Sequence, residues 1–184
     1  MQFFVGAAEI STILASANPS SPLSKLIMTL LVWNGGKPGN LHMSNAAAIG
    51  LTLIILGTWI RLMTYRHLGR FFRFEVSIQK DHELIVSGPY SVVRHPSYTG
   101  LILIFGGLMP WYLSEGSWIM ESGLWNTMLG KMFVVIYFGA LDILASIFAL
   151  ARMSKEDIAL RKQFGKKWDN WAKSVPYSIF PGIY

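Results

Sequence analysis

The stretch Gly88-Pro89-Tyr90-Ser91-Val92-Val93-Arg94-His95-Pro96-Ser97-Tyr98-Thr99-Gly100 gathers two prolines, two tyrosines, an arginine and a histidine immediately before the apolar run 101–109. Arg, His and Tyr are the side chains that fix an anion or a polyhydroxylated ligand through charge-assisted hydrogen bonds. The same residue types also sit among lipid headgroups as an interfacial anchor, and the stretch alone does not separate the two roles. A second group lies further on. Arg152 and Glu156 are four apart and so share one helix face, with Asp157 on the neighbouring face. They directly follow the apolar run 128–151, where an ion pair must offset its own desolvation.

Several chemistries are excluded at once. The chain has no cysteine, which removes disulfides, thiolate nucleophiles and Cys-based zinc sites. The four histidines (His42, His67, His82, His95) have no HExxH-type spacing, so no metal is expected.

The elements that must position these residues are membrane helices. In this chain of 184 residues, 52% are hydrophobic and only 14% charged, against about a quarter charged in a soluble chain. The expectation is an all-α, polytopic helical bundle with about four or five membrane segments and a cytosolic, amphipathic C-terminal helix. Residues 3–17 and 23–33 are short apolar runs, marginal for spanning alone. Residues 46–65 are long and apolar enough for a span, with Asn45 as the expected N-cap. Segment 83–86 reads as extended or loop-like, not helical. Residues 98–113 form the next segment, which Pro110 would break or kink. Residues 128–151 form a long span. Beyond it Leu160, Phe164, Trp168, Trp171 and Val175 recur at helical spacing with Lys and Arg between them, which suits a helix lying on anionic lipid; Gly165 weakens it. Glu9 and Asp142, inside apolar runs, are expected to be buried hydrogen-bonding groups, and Trp111, Trp118 and Trp125 interfacial belt residues.

Charge fixes the orientation. Six of the sixteen Lys and Arg lie in 61–94 and seven in 152–184, while the 114–127 loop has none. Under the positive-inside rule both basic regions face the cytosol, and two crossings between them satisfy the parity. The net charge of +6 therefore reports membrane topology, and no nucleic-acid partner is expected.

Gly88-Pro89-Tyr90, Arg94-His95-Pro96-Ser97-Tyr98 and Gly100 resemble a signature of the isoprenylcysteine carboxyl methyltransferases. Arg152, Glu156-Asp157, Leu160, Phe164-Gly165, Trp168, Trp171 and Val175-Pro176 resemble that family's second signature, and Leu68-Gly69, Phe71-Phe72, Gln79 and Asp81-His82-x-Leu84 resemble what precedes the first. Lys155 stands where the family carries an acid. The resemblance covers roughly residues 45–181, so residues 1–184 are taken as one methyltransferase domain with variable membrane segments in 1–44 and a catalytic core in 45–184.

The resemblance implies S-adenosyl-L-methionine as methyl donor and the C-terminal α-carboxylate of a farnesyl- or geranylgeranyl-cysteine, on a CaaX-type protein, as acceptor. By position Gln79, His82, Glu83, Leu84, Ile85, Tyr90, His95, Pro96, Ser97 and Tyr98 would bind the cofactor, with Glu156 joining them. Arg152 would bind the substrate carboxylate and, with Glu156, form the catalytic pair. The resemblance also implies the endoplasmic reticulum membrane in a eukaryote and the plasma membrane in a prokaryote. A carboxylate with a pKa near 3.5 is already a nucleophile at neutral pH, so its methylation needs positioning and electrostatics without a general base. Three rivals remain: a phospholipid amine N-methyltransferase of the same superfamily, a non-catalytic membrane binding or scaffold protein, and a sterol reductase-like protein.

Overall fold

The computed structural model describes residues 2–33, 35–71 and 83–182. Gln79 and His82 lie outside the described residues, as does the side chain of Asp142. Every regular element among the described residues is helical. The main helices are α1 (Gln2–Ala17), α2 (Pro22–Leu31), α3 (Asn45–Leu68), α4 (Pro96–Leu113), the single turn α5 (Trp118–Glu121), α6 (Met128–Phe164) and α7 (Lys166–Ser174). Segment 83–86 carries no regular element, in keeping with the non-helical reading of its sequence.

Two stretches, Asn45–Phe71 and Met128–Phe164, are long and apolar enough to cross a membrane, with mean hydropathies of 1.8 and 2.3. Only 17% and 20% of their most apolar windows are buried, whereas the core helix of a soluble protein would be mostly covered. Ile136 and Phe148 on α6 are 60% and 72% exposed and face outward, where lipid must cover them. The chain is thus a membrane helical protein. α4 runs on through Pro110 to Leu113, and α1 and α2 are shorter apolar helices.

The chain divides into two compact units, one of Met1–Thr52 with Gly106–Leu141 and one of Leu53–Phe105 with Asp142–Tyr184. In the first, α1 buries Val5, Ala8, Thr12 and Ala15, the spacing of one helix face. The fully buried Thr12 hydroxyl donates to the Ala8 carbonyl at 2.7 Å, which satisfies a polar group in apolar surroundings. Trp118 departs from its expected place in an interfacial belt. It is 2% exposed, meets Trp33 and Phe4 edge-on, and donates its indole N–H to the Leu31 carbonyl at 3.2 Å. The cap of α3 is Ser44 instead of Asn45: the Ala47 N–H donates to the Ser44 hydroxyl at 3.2 Å.

In the second unit α3 and α4 meet through glycines. A Cβ on Gly57 would lie 2.5 Å from the Gly100 carbonyl oxygen, and a Cβ on Gly100 2.5 Å from that of Gly57. Helices without a hydrophobic force between them pack this way, through small residues that admit close backbone approach. α6 has 37 residues, about 55 Å at 1.5 Å per residue, against a hydrocarbon core of about 30 Å. Its last turns, which carry Arg152, Glu156 and Asp157, therefore extend past the apolar stretch. The expected continuous tail helix is broken at Gly165, whose φ of +52° admits glycine most readily, and α7 begins there as a separate element.

Candidate active site

The second unit brings the two polar stretches together. Gly88, at φ +60°, opens a short 3-10 turn over Gly88–Ser91, and Pro96 then starts α4 at the first helical position, which its fixed φ favours. His95 sits just before that helix. It is 5% exposed, with Nε2 3.1 Å from Asp157 Oδ1 and Nδ1 3.6 Å from Glu156 Oε2. One turn of α6 thus faces both ring nitrogens with carboxylates. Burial pushes the His95 pKa down, but the hydrogen bond to Asp157 and the charges of Asp157 and Glu156 outweigh that and raise it above the ordinary value. An imidazolium, donating from Nε2 to Asp157 with the Glu156 carboxylate facing Nδ1, is the form this arrangement favours.

Glu156 is the hub. Its Oε1 accepts from the Tyr98 hydroxyl at 2.9 Å and from Arg152 Nε at 2.9 Å. Its Oε2 has the 3.6 Å contact with His95, too long for a hydrogen bond, and keeps lone pairs for a ligand's hydroxyl or ammonium group. Tyr90 approaches from the 3-10 turn, and the Trp171 indole donates to its carbonyl at 3.1 Å. Burial, then the charge of Glu156, raises the Tyr90 pKa, so its phenol stays a donor.

A strap of residues 175–179 closes around this group. Arg94 donates from Nη1 to the carbonyls of Val175 and Pro176 at 3.2 and 2.9 Å, and from Nη2 to the Ser178 hydroxyl at 2.6 Å. Its backbone N–H reaches the Tyr177 carbonyl at 2.9 Å, that of His95 reaches the Ser178 carbonyl at 2.8 Å, and the Thr99 hydroxyl donates to the Ile179 carbonyl at 2.5 Å. Arg94 Nε also lies 4.0 Å from Asp157 Oδ2.

Of the residues singled out in the sequence, His95, Tyr98, Arg152 and Glu156 meet directly, and Tyr90 lies near enough to feel the Glu156 charge. Ser97 points elsewhere: its carbonyl and hydroxyl both accept from Arg61 Nη1, at 3.1 and 3.3 Å. Pro96 is buried as the start of α4. Glu83 is exposed and Ile85 half-buried, while Leu84 lines an open groove of about 630 Å³ beside Trp171 and Ser174. Arg94 and Asp157 have structural roles here that their side chains did not announce. Arg61 could have been found as a cation inside an apolar helix, the usual mark of a functional or positioning group.

A profile of the phospholipid methyltransferase family matches residues 45–167, which include this whole cluster. The chain belongs to that family. Among similar proteins, protein-S-isoprenylcysteine O-methyltransferase B of Arabidopsis thaliana is 30% identical over 132 residues, 71% of this chain and 57% of that protein. Protein-S-isoprenylcysteine O-methyltransferase of Rattus norvegicus is 29% identical over 135 residues, 72% of this chain and 40% of that protein. The Delta(14)-sterol reductase of Ascobolus immersus is 35% identical over 109 residues, 59% of this chain and 21% of that protein. The chain therefore spans between about a fifth and just over half the length of these relatives. The names agree with the resemblance read from the two signatures, and they also include the sterol reductases weighed there as a rival.

Proposed function

We propose that this protein methylates the C-terminal α-carboxylate of a prenylated cysteine, with S-adenosylmethionine as donor. The observation that carries this reading is the state of the cluster's carboxylates. Glu156 is held by Arg152 and Tyr98, and Asp157 by His95, so neither is placed as a free general base. An acceptor that is already anionic needs none. S-adenosylmethionine, when bound, would supply an electrophilic methyl group carried on a positively charged sulfur. Tyr90 is a donor suited to that cofactor's carboxylate and hydroxyls, while Tyr98 and His95, whose protons face Glu156 and Asp157, set up Glu156 Oε2, which suits its ammonium or ribose. The expected roles of Glu83, Leu84 and Ile85 in cofactor binding, and those of Gln79 and His82, belong to the same proposal.

Arg152, just past the apolar stretch of α6, aims the acceptor carboxylate, and orientation of this kind is where the rate gain lies. An apolar cleft of about 400 Å³, lined by Trp59, Met63, Val92, Pro96 and Ile179, supports an acceptor with a hydrocarbon chain. Reaction at the cytosolic membrane face, in the endoplasmic reticulum of a eukaryote, completes the reading.

The test is transfer of radiolabelled methyl from S-adenosylmethionine to a farnesylated cysteine analogue by membranes carrying the protein. A base-labile methyl ester is the expected product, and its absence from membranes with folded protein overturns the proposal. Arg152→Ala raises the KM for the acceptor, whereas His95→Ala and Glu156→Ala weaken cofactor binding. The family's description favours one second reading, methylation of a phospholipid amine, whose product would be a base-stable lipid.

A further inference from the structure

α3 carries an arginine, Arg61, inside the stretch Asn45–Phe71 that is long and apolar enough to cross a membrane. No carboxylate among the described residues forms an ion pair with it. A cation in such a helix is costly, and one kept there marks a group with a task. Its guanidinium is directed at neutral oxygens. Nη1 donates to the Ser97 carbonyl at 3.1 Å and reaches the Ser97 hydroxyl at 3.3 Å, while Nη2 donates to the Tyr65 hydroxyl. The guanidinium also lies 5.3 Å from the centre of the Tyr65 ring. The stem is placed as closely as the head: a Cβ on Gly100 would lie 2.7 Å from Arg61 Cγ.

What Arg61 does follows from the helix contact beside it. Gly57 and Gly100 let α3 and α4 touch backbone to backbone, but two glycines offer no side chains to interlock, so that contact alone leaves the helices free to slide or roll. Arg61 is one turn on from Gly57, and Ser97 is one turn back from Gly100. The bond between them ties the antiparallel pair a second time, one turn nearer the polar cluster. An apolar side chain there would fill space without direction, whereas the planar fork fixes an angle as well as a distance. Ser97 stands between His95 and Tyr98. The Tyr98 and Thr99 N–H groups both donate to the His95 carbonyl, at 3.0 and 3.3 Å, so His95 moves with this turn. The Tyr98 hydroxyl donates to Glu156 at 2.9 Å, and a displacement of about 1 Å along that line would take the bond out of range. Tyr65 in turn lies close enough to Tyr90 for the two phenols to act on each other, so the clamp also borders the Gly88–Ser91 turn.

We propose that Arg61 is a positioning residue: it locks α4 against α3 in the register that sets Tyr98 and His95 against Glu156 and Asp157. Its consequence for activity rests on the reading that this cluster holds S-adenosylmethionine.

The experiment compares the purified full chain in detergent with Arg61→Met, Arg61→Lys and, as a control for charge alone, Arg66→Met at the exposed end of the same helix. Calorimetry measures S-adenosylmethionine binding, NMR titration follows the His95 ring, and thermal unfolding reports the fold. Arg61→Met removes the fork and is expected to raise the Kd for S-adenosylmethionine about tenfold or more, and to bring the His95 pKa back towards its ordinary value. Arg61→Lys keeps the charge without the fork and gives most of the same change, so it carries the test if Arg61→Met does not fold. Arg66→Met leaves both readouts as in the wild type. A fall in Tm with cofactor affinity and His95 titration unchanged makes Arg61 a structural staple and overturns the proposal, as does an equal loss in Arg66→Met. If the wild-type chain does not bind S-adenosylmethionine, the cofactor reading is what fails, and the register is then judged on the His95 titration alone.

Discussion

Replacing Asp157 with Asn tests the cluster at its most specific contact. The substitution keeps size and an acceptor oxygen but removes the charge 3.1 Å from His95 Nε2. A hydrogen bond to a charged group is worth about 1.5–3 kcal/mol, and Asp157 is 24% exposed, so the lower half of that range applies. The His95 pKa should therefore fall back towards its ordinary value, with Glu156 at 3.6 Å supplying what elevation is left. The sign follows from linkage. A histidine whose folded pKa is raised contributes stability that is fully present below its unfolded value of 6.5 and is lost as pH rises through the folded value. The wild-type protein should therefore lose stability with rising pH in a window beginning near 6.5 and extending to the raised pKa of His95. In Asp157→Asn that window narrows and the protein is weakest, relative to wild type, at its acidic end. The assay is NMR titration of the His95 ring paired with chemical unfolding in detergent across that pH range. An unchanged His95 pKa, or equal destabilisation at every pH, would refute the claim that Asp157 acts through the imidazolium.

Other consequences are simpler to read. Arg94→Lys keeps the charge but loses the planar fork that reaches two carbonyls and a hydroxyl, and should cost about 2–4 kcal/mol in unfolding free energy while exposing residues 175–179 to limited proteolysis. Gly100→Ala places a methyl 2.5 Å from the Gly57 carbonyl and should lower stability by about 1–3 kcal/mol, whereas Gly106→Ala on the same helix meets nothing within 4 Å and should be neutral or stabilising by up to about 1 kcal/mol in thermal melts. Gly165→Ala forces a side chain to φ +52° and should cost about 1 kcal/mol, measured by the same melts.

The apolar runs announced α3, α4 and α6 because lipid exposure imposes a compositional bias that survives any detail of packing. The joining of His95 and Tyr98 to Arg152 and Glu156 was legible only through the two signatures and the parity of crossings, which put both on one side without saying which atoms touch. The role of Ser97 was not legible: which way a serine near the start of a helix points depends on Arg61, 36 residues earlier. Trp118 was misplaced because a tryptophan in a polar loop reads as interfacial, and its burial depends on Trp33 and the Leu31 carbonyl, contacts distant in sequence. The strap depends mainly on backbone carbonyls, which leave no trace in residue types.

The strap also sets an order of events during synthesis. His95 and Asp157 are 62 residues apart, and Arg94 waits for Ser178, 84 residues further on. A nascent chain with α3 and α4 already inserted carries His95 without either carboxylate, and Arg94 without its carbonyls. The cluster should therefore assemble in two stages, its side chains meeting once residue 157 has entered and the strap closing only after residue 179 has cleared the ribosome, so that chains stalled between the two carry the charged cluster without its cover.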